Sequence, residues 1–251
     1  MTTPSTISPH PSPTNTPSTH LHYLRACLSL ASQSPPKPTN FRVGAILLSR
    51  NPSSPSETTT YTDQFLSTGY TLELPGNTHA EQCALSKYTA AHNVLEDKIG
   101  EVLPPPDTPS TAQVIMYVTM EPCGKRLSGN APCVQRIIQT RNGNGGRRRA
   151  GIDKVYFGVK EPGTFVGESV GCKMLSEAGV EWEVVEGLEE EILGVAMAGH
   201  EKEKGGEEAE GKSKEGSRVG GTNVDDISEE ERRRQEARPR NPKKRMMEAD
   251  I

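Results

Sequence analysis

Four residues of this 251-residue chain could do chemistry together: His79 and Glu81, two apart, and Cys123 and Cys133 some forty to fifty residues on. Imidazole and thiolate are the ligands zinc prefers, and three protein ligands leave a fourth tetrahedral position for a water whose pKa the metal lowers. A carboxylate beside that water, and not itself a ligand, can move protons from the attacking water to a departing amine. The set is therefore the one needed to add water to a carbon and expel ammonia from it.

The local sequence explains how such residues could meet. Gly76-Asn77-Thr78 precedes His79, and residues 81–88 read as a helix, so His79 and Glu81 fall at a helix mouth. Residues two apart diverge along a helix, but at its mouth both can reach a point just beyond the end. Pro132 suits a first helical position and places Cys133 in the first turn of a second helix, where the positive helix end favours thiolate. A competing interpretation is equally simple. Thr78-x-x-Glu81 is also a capping box, in which Glu81 would only satisfy backbone amides and His79 would lie exposed. The cysteine pair, placed after the apolar run 114–118, favours the metal site.

Several stretches resemble the deaminases of fungal riboflavin biosynthesis: residues 40–47 (Asn-Phe-Arg-Val-Gly-Ala-Ile-Leu), 69–84, with Glu-Leu-Pro-Gly-Asn-Thr-His-Ala-Glu-Gln at its centre, Met120-Glu121-Pro122-Cys123, and residues 126–133 (Arg-Leu-Ser-Gly-Asn-Ala-Pro-Cys). The likeness runs from about residue 20 to 197 and continues through residues 157–162 and 187–192. Nine residues separate Cys123 from Cys133, where the short form of the zinc-deaminase signature has two; bacterial riboflavin deaminases share the wide gap, whereas cytidine and tRNA-adenosine deaminases resemble the short form. The resemblance implies zinc held by His79, Cys123 and Cys133, with Glu81 as the proton shuttle. It implies deamination of 2,5-diamino-6-ribitylamino-4(3H)-pyrimidinone 5'-phosphate at C2, giving 5-amino-6-ribitylamino-2,4(1H,3H)-pyrimidinedione 5'-phosphate. Asn40 matches a substrate-contacting position, and Asn77 is expected to bind substrate as well. Arg126, Ser128 and Asn130, in the wide loop, offer donors for the substrate's phosphate, with Lys160 next in line.

Around these residues the pattern alternates strand and helix. Strands are expected at 41–49, 61–69, 114–119, 154–159 and 180–185, and helices at 21–31, 81–88, 133–140, 166–178 and 188–198. The later strands are joined by helical crossovers and should run parallel. The expected fold is α/β, a three-layer α/β/α sandwich around a five-stranded mixed sheet, which is also the cytidine deaminase-like fold the resemblance implies. Hydrophobic residues make up 32% of the chain, with four Phe and one Trp, which points to one domain with disordered ends. The boundaries expected are a Ser/Thr/Pro-rich tail over residues 1–19, the deaminase domain over 20–199, and a charged tail over 200–251.

Partners and location follow from composition. No apolar h-region or membrane-length stretch occurs, and five cysteines is an odd number that suits a reducing compartment, so a soluble cytoplasmic protein is expected, with Cys27, Cys83 and Cys172 as buried thiols. The basic clusters Arg232-Arg233-Arg234 and Pro242-Lys243-Lys244-Arg245 leave nuclear import open. A net charge of −4 gives no footprint for nucleic acid, so the partner expected is a small phosphorylated molecule; a homodimer is also open. Two rival functions share the zinc site: a cytidine, deoxycytidylate or tRNA-adenosine deaminase, disfavoured by the wide cysteine loop, and a non-catalytic zinc-containing partner subunit, disfavoured by Glu81.

Overall fold

The computed structural model describes residues 16–52, 61–104, 112–126, 129–141, 151–160 and 169–200. Five strands form one sheet: β1 (Gly44–Pro52), β2 (Tyr61–Tyr70), β3 (Gln113–Met120), β4 (Lys154–Val159) and β5 (Glu181–Val184), in the order β2-β1-β3-β4-β5. β1 is antiparallel to both β2 and β3, whereas β3, β4 and β5 run parallel, as the crossovers require. Five α-helices flank the sheet: α1 (Pro17–Ala31), α2 (Ala80–Ala91), α3 (Cys133–Gln139), α4 (Val170–Glu177) and α5 (Glu189–Ala196).

The three layers follow from strands that bury both faces. Ala45, Leu47, Met116, Val118, Val155 and Phe157 pack toward α2, α3 and α4, in a cluster that includes Ala80, Val134 and Cys172. Their neighbours in sequence, Ile46, Leu48, Ile115, Tyr117 and Tyr156, face Tyr23, Leu24 and Ile192 of α1 and α5. Period-two alternation thus divides two apolar sets between two cores. Two glycines let the helices come closer than any side chain would allow. A Cβ on Gly44 would lie 1.9 Å from the carbonyl oxygen of Cys27 in α1, and one on Gly69 would lie 2.2 Å from that of Ala80, the first residue of α2.

Several boundaries differ from expectation; β1, expected over 41–49, runs from Gly44 to Pro52. α1 begins at Pro17, four residues earlier than the sequence suggested, with Thr16 at the N-cap and Pro17 supplying a preset φ for the first turn. The Ser/Thr/Pro composition that reads as a tail here starts a helix, and Thr19 and His20 are already buried. α4 begins at Val170; the expected start at 166 lies outside the described residues. At the other end, His200 stacks on Phe41 and its Nε2 lies 3.1 Å from the carbonyl oxygen of Asn40. Among the described residues, no helix is long and apolar enough to cross a membrane.

Under α1 the sheet carries a buried polar group of its own. Arg50 and Asp63 are directly paired across β1 and β2, and the guanidinium meets the carboxylate twice, Nε to Oδ1 at 2.8 Å and Nη2 to Oδ2 at 2.7 Å. Both side chains are 2% exposed. Tyr23 donates to the same carboxylate at 2.6 Å. Next to this pair, His20 stacks on Tyr156 and places Nδ1 2.7 Å from the Tyr117 hydroxyl. Burial, reinforced by Arg50, lowers the His20 pKa from 6.5 to about 4.

That shift has a definite sign. Between pH 6.5 and 4 the unfolded chain binds a proton on His20 that the folded chain refuses, so stability falls with acidification through this window. A shift of that size costs at most about 3 kcal/mol, fully developed only at the acid end. In denaturant titrations at pH 7 and pH 4.5, His20→Gln is expected to lose less stability on acidification than the parent, by about 2 kcal/mol. Parallel losses in the two chains would assign the acid sensitivity to other groups.

Candidate active site

The loop before α2 folds so that His79 ends up at a helix start with its ring free of capping duty. Leu72 adopts a left-handed conformation (φ 63°) and its N–H bonds the Thr78 carbonyl at 2.8 Å, closing the turn. The Thr78 hydroxyl donates to the Leu74 carbonyl at 2.9 Å, so it does not cap α2. His79 is the N-cap residue, with extended backbone and no side-chain capping bond. The capping-box alternative is thereby overturned, because Thr78 lies one residue too early and its hydroxyl is engaged elsewhere. Glu81, in the first turn, is 3% exposed and turned toward the thiols.

The second helix start is built on the first cysteine. β3 ends at Met120, and Glu121-Pro122-Cys123 leads to a segment that returns at Pro132, the N-cap of α3. The first amides of α3, which have no partner inside the helix, find them on Cys123: Val134 N–H donates to its carbonyl at 3.2 Å and Cys133 N–H to its Sγ at 3.4 Å. Cys133 follows the cap, one position earlier in the helix than expected from a Pro at the first helical position.

The ligand atoms converge. His79 Nδ1 lies 3.5 Å from Cys123 Sγ and 3.5 Å from Cys133 Sγ, and all three atoms are within 4.8 Å of one another. Zinc bonds of roughly 2.0–2.1 Å to imidazole and 2.3 Å to thiolate give a tetrahedron an N···S edge of about 3.6 Å. The donor set therefore fits zinc in identity and in spacing. Electrostatics among the protein groups agree. Hydrogen bonding from Cys133 holds the Cys123 thiol well below its ordinary range, while the same bond, burial and the Glu81 carboxylate push Cys133 up. Cys133 Sγ donates to Glu81 Oε2 at 3.3 Å, and burial together with the charge on Cys123 raises the Glu81 pKa.

A chain of polar contacts surrounds this centre. Thr39 donates to Asn40 Oδ1 at 2.8 Å, and Asn40 Nδ2 donates to Asn77 Oδ1 at 2.6 Å. Arg126 reaches across from the cysteine segment, Nη2 donating to the Asn77 carbonyl at 2.5 Å and Nη1 to Gln82 Oε1 at 3.0 Å. Asn40, Asn77 and Arg126 are thus brought together, with Arg126 tying two protein segments to each other. Asn130 is half-buried two residues before the cap of α3, while Ser128 lies outside the described residues. The remaining cysteines, Cys27, Cys83 and Cys172, are free thiols and buried.

Three participants escaped sequence reasoning. Gln82 and Glu121 lie within the motifs but carry no assigned role, although a charge at the end of an apolar strand beside Cys123 is itself a signal; Ser169, whose hydroxyl donates to Glu121, is joined to it only by the fold.

The chain belongs to the family described as the cytidine and deoxycytidylate deaminase zinc-binding region, whose model matches residues 17–144. Within it, the chain is 32% identical over 186 residues to the diaminohydroxyphosphoribosylamino-pyrimidine deaminase of Schizosaccharomyces pombe, an alignment covering 73% of this chain and 36% of that one. It therefore spans little more than a third of that curated relative's length. Among solved structures it is similar to Aspergillus oryzae Rib2 deaminase, a C-terminal deletion mutant at pH 4.6, with 63% identity, a TM-score of 0.62, and coverage of 72% of this chain and 92% of that one. The same protein in complex with DARIPP matches at 60% identity and a TM-score of 0.62, covering 74% and 93%.

The purified protein is expected to carry about one zinc per chain, measured by elemental analysis. Cys133→Ala is expected to lose it, and full zinc occupancy in that variant would remove Cys133 from the ligand set.

Proposed function

We propose that this chain is a zinc-dependent hydrolase that deaminates a phosphorylated diaminopyrimidine carrying a ribityl chain, the C2 deamination of riboflavin biosynthesis. The observation that carries the reading is Glu81: a buried carboxyl within hydrogen-bond reach of a thiol of the metal cluster, yet outside the donor set itself. A site built only to hold the fold together closes its fourth position and has no use for such a group.

In this reading His79 Nδ1, Cys123 and Cys133 would hold the zinc, which would supply a water acidic enough to act as a nucleophile at neutral pH. Glu81 is placed to take a proton from the attacking water on one carboxylate oxygen and to deliver it to the departing nitrogen; burial suits the task, since it keeps the carboxyl able to hold a proton. Asn40 and Asn77 orient each other, and because Asn77 Oδ1 already accepts from Asn40, its amide N–H groups are left to donate to the substrate's ring. Arg126 and Asn130, with Ser128, are assigned to the substrate's phosphate side, Arg126 through donors beyond the two it gives to Asn77 and Gln82. All of the groups named come from one chain, so a homodimer would keep each site intact. We place the protein in the cytoplasm, a reducing setting suited to its free thiols.

The relatives leave the sugar open. One is named for a phosphoribosylamino substrate and the other is in complex with DARIPP. Ammonia release should be measured on the ribitylamino and ribosylamino pyrimidine phosphates, with cytidine, deoxycytidylate and a tRNA anticodon stem as competitors. The ribitylamino phosphate is expected to be turned over and the others ignored; preference for cytidine would overturn the reading. Glu81→Gln is expected to keep zinc and to slow turnover by about two to four orders of magnitude. For domain limits, we propose that residues 16–200 suffice: a chain trimmed to them is expected to melt within a few degrees of the parent by calorimetry and to deaminate at a similar rate.

A further inference from the structure

The start of α4 stands directly behind the loop that carries the first thiol. Ser169 caps the helix, its hydroxyl oxygen accepting from the Cys172 N–H at 3.0 Å, and the same hydroxyl donates to Glu121 Oε1. Both residues are 6% exposed. Glu121 lies two residues before Cys123, and its own N–H continues the sheet by donating to the Val159 carbonyl at 2.8 Å. Backbone meets backbone here. A Cβ on Gly171 would lie 2.8 Å from the Pro122 carbonyl and 3.2 Å from Glu121 Oε1, and one on Gly124 would lie 2.8 Å from the Gly171 nitrogen. The same added Cβ would lie 3.4 Å from Cγ2 of Val134, the residue after Cys133. A single helix end therefore abuts the flanks of both cysteines.

We propose that Glu121 is a positioning residue for the metal centre: gripped by Ser169, its carboxylate locks Glu121-Pro122-Cys123 against α4 and so sets where the Cys123 sulfur stands. The inference rests on the assignment of His79, Cys123 and Cys133 as zinc ligands. Burying a carboxylate costs free energy that an apolar side chain of the same size would not. Here the cost is offset by the Ser169 hydroxyl and by the positive end of α4. Both are directional, so they hold the segment in one place where packing alone would let it slide. Glu121 is outside the donor cluster, so its effect on the metal is exerted through the loop.

The test is a swap of partners in the full chain, read by competition for zinc with a chromogenic chelator, by the absorption bands of the cobalt(II) form, and by melting of the zinc-stripped protein. Ser169→Asp retains a good helix cap for the Cys172 N–H but sets a second carboxylate against Glu121. Glu121→Gln keeps an acceptor for Ser169. In the double variant the new amide can donate to the new carboxylate. Ser169→Asp is expected to weaken zinc binding by about tenfold to a hundredfold and to shift the cobalt bands, while Glu121→Gln and the double variant stay within about threefold of the parent. Zinc-stripped Ser169→Asp is expected to melt below the parent and the double variant close to it, so the cobalt bands, read on folded protein, separate a displaced Cys123 from a general loss of fold. Unchanged zinc affinity in Ser169→Asp, or a loss that the double variant does not recover, would overturn the proposal. A parent chain that takes up no zinc would instead overturn the ligand assignment on which it rests.

Discussion

An imidazole nitrogen and two sulfurs held about a tetrahedron's edge apart, with a carboxyl pressed against one of them, is an arrangement no short segment can make for itself. The groups would repel or seek water if left to choose, so the surrounding chain must fix them before any metal arrives. The fold does this by starting two helices at one place and letting the first cysteine cap the second helix. The free amides of a helix start are thereby satisfied by Cys123, and the partial positive charge there favours a thiolate.

Much of this was legible beforehand because it depends on residue type and spacing. The meeting of His79, Glu81, Cys123 and Cys133 and the two helix starts follow from four residues and a proline. The five strands follow from apolar runs, and the parallel half of the sheet from its crossovers. What stayed hidden depends on turns and on contacts across the chain. Whether Thr78 or His79 caps α2 turned on a left-handed Leu72 that no propensity favours. Arg126, read as a substrate anchor, is also a strut between the cysteine segment and the His79 turn, and its partners are a backbone carbonyl and Gln82. Pro17 begins a helix within a composition that resembles a tail, because the burial of Thr19 and His20 outweighs the weak propensities of their neighbours.

The two cores divide the polar work. On the α2, α3 and α4 side Glu81 lies against the cysteine cluster and Glu121 against Ser169. On the α1 and α5 side lies the Arg50–Asp63 pair with its tyrosines and His20. Replaced as a whole by well-packed apolar residues, such a pair often costs nothing, yet losing one partner leaves a buried charge and costs about 3–5 kcal/mol. Its use here is better sought in geometry than in net stability.

Arg50 and Asp63 sit opposite each other beyond a bulge at Leu47 and Leu48, where the pairing of β1 and β2 shifts by one residue. Six residues further along β2, roughly 20 Å at the rise of a strand, Gly69 receives the first turn of α2. Were β2 to slip by one residue, Thr68 or Tyr70 would arrive under that turn, with a side chain where the helix backbone needs the space. The ion pair and the glycine thus act as the two marks of a gauge. One sets the zero of the strand and the other reads it out, and the position of His79 is dimensioned from a contact on the opposite side of the sheet.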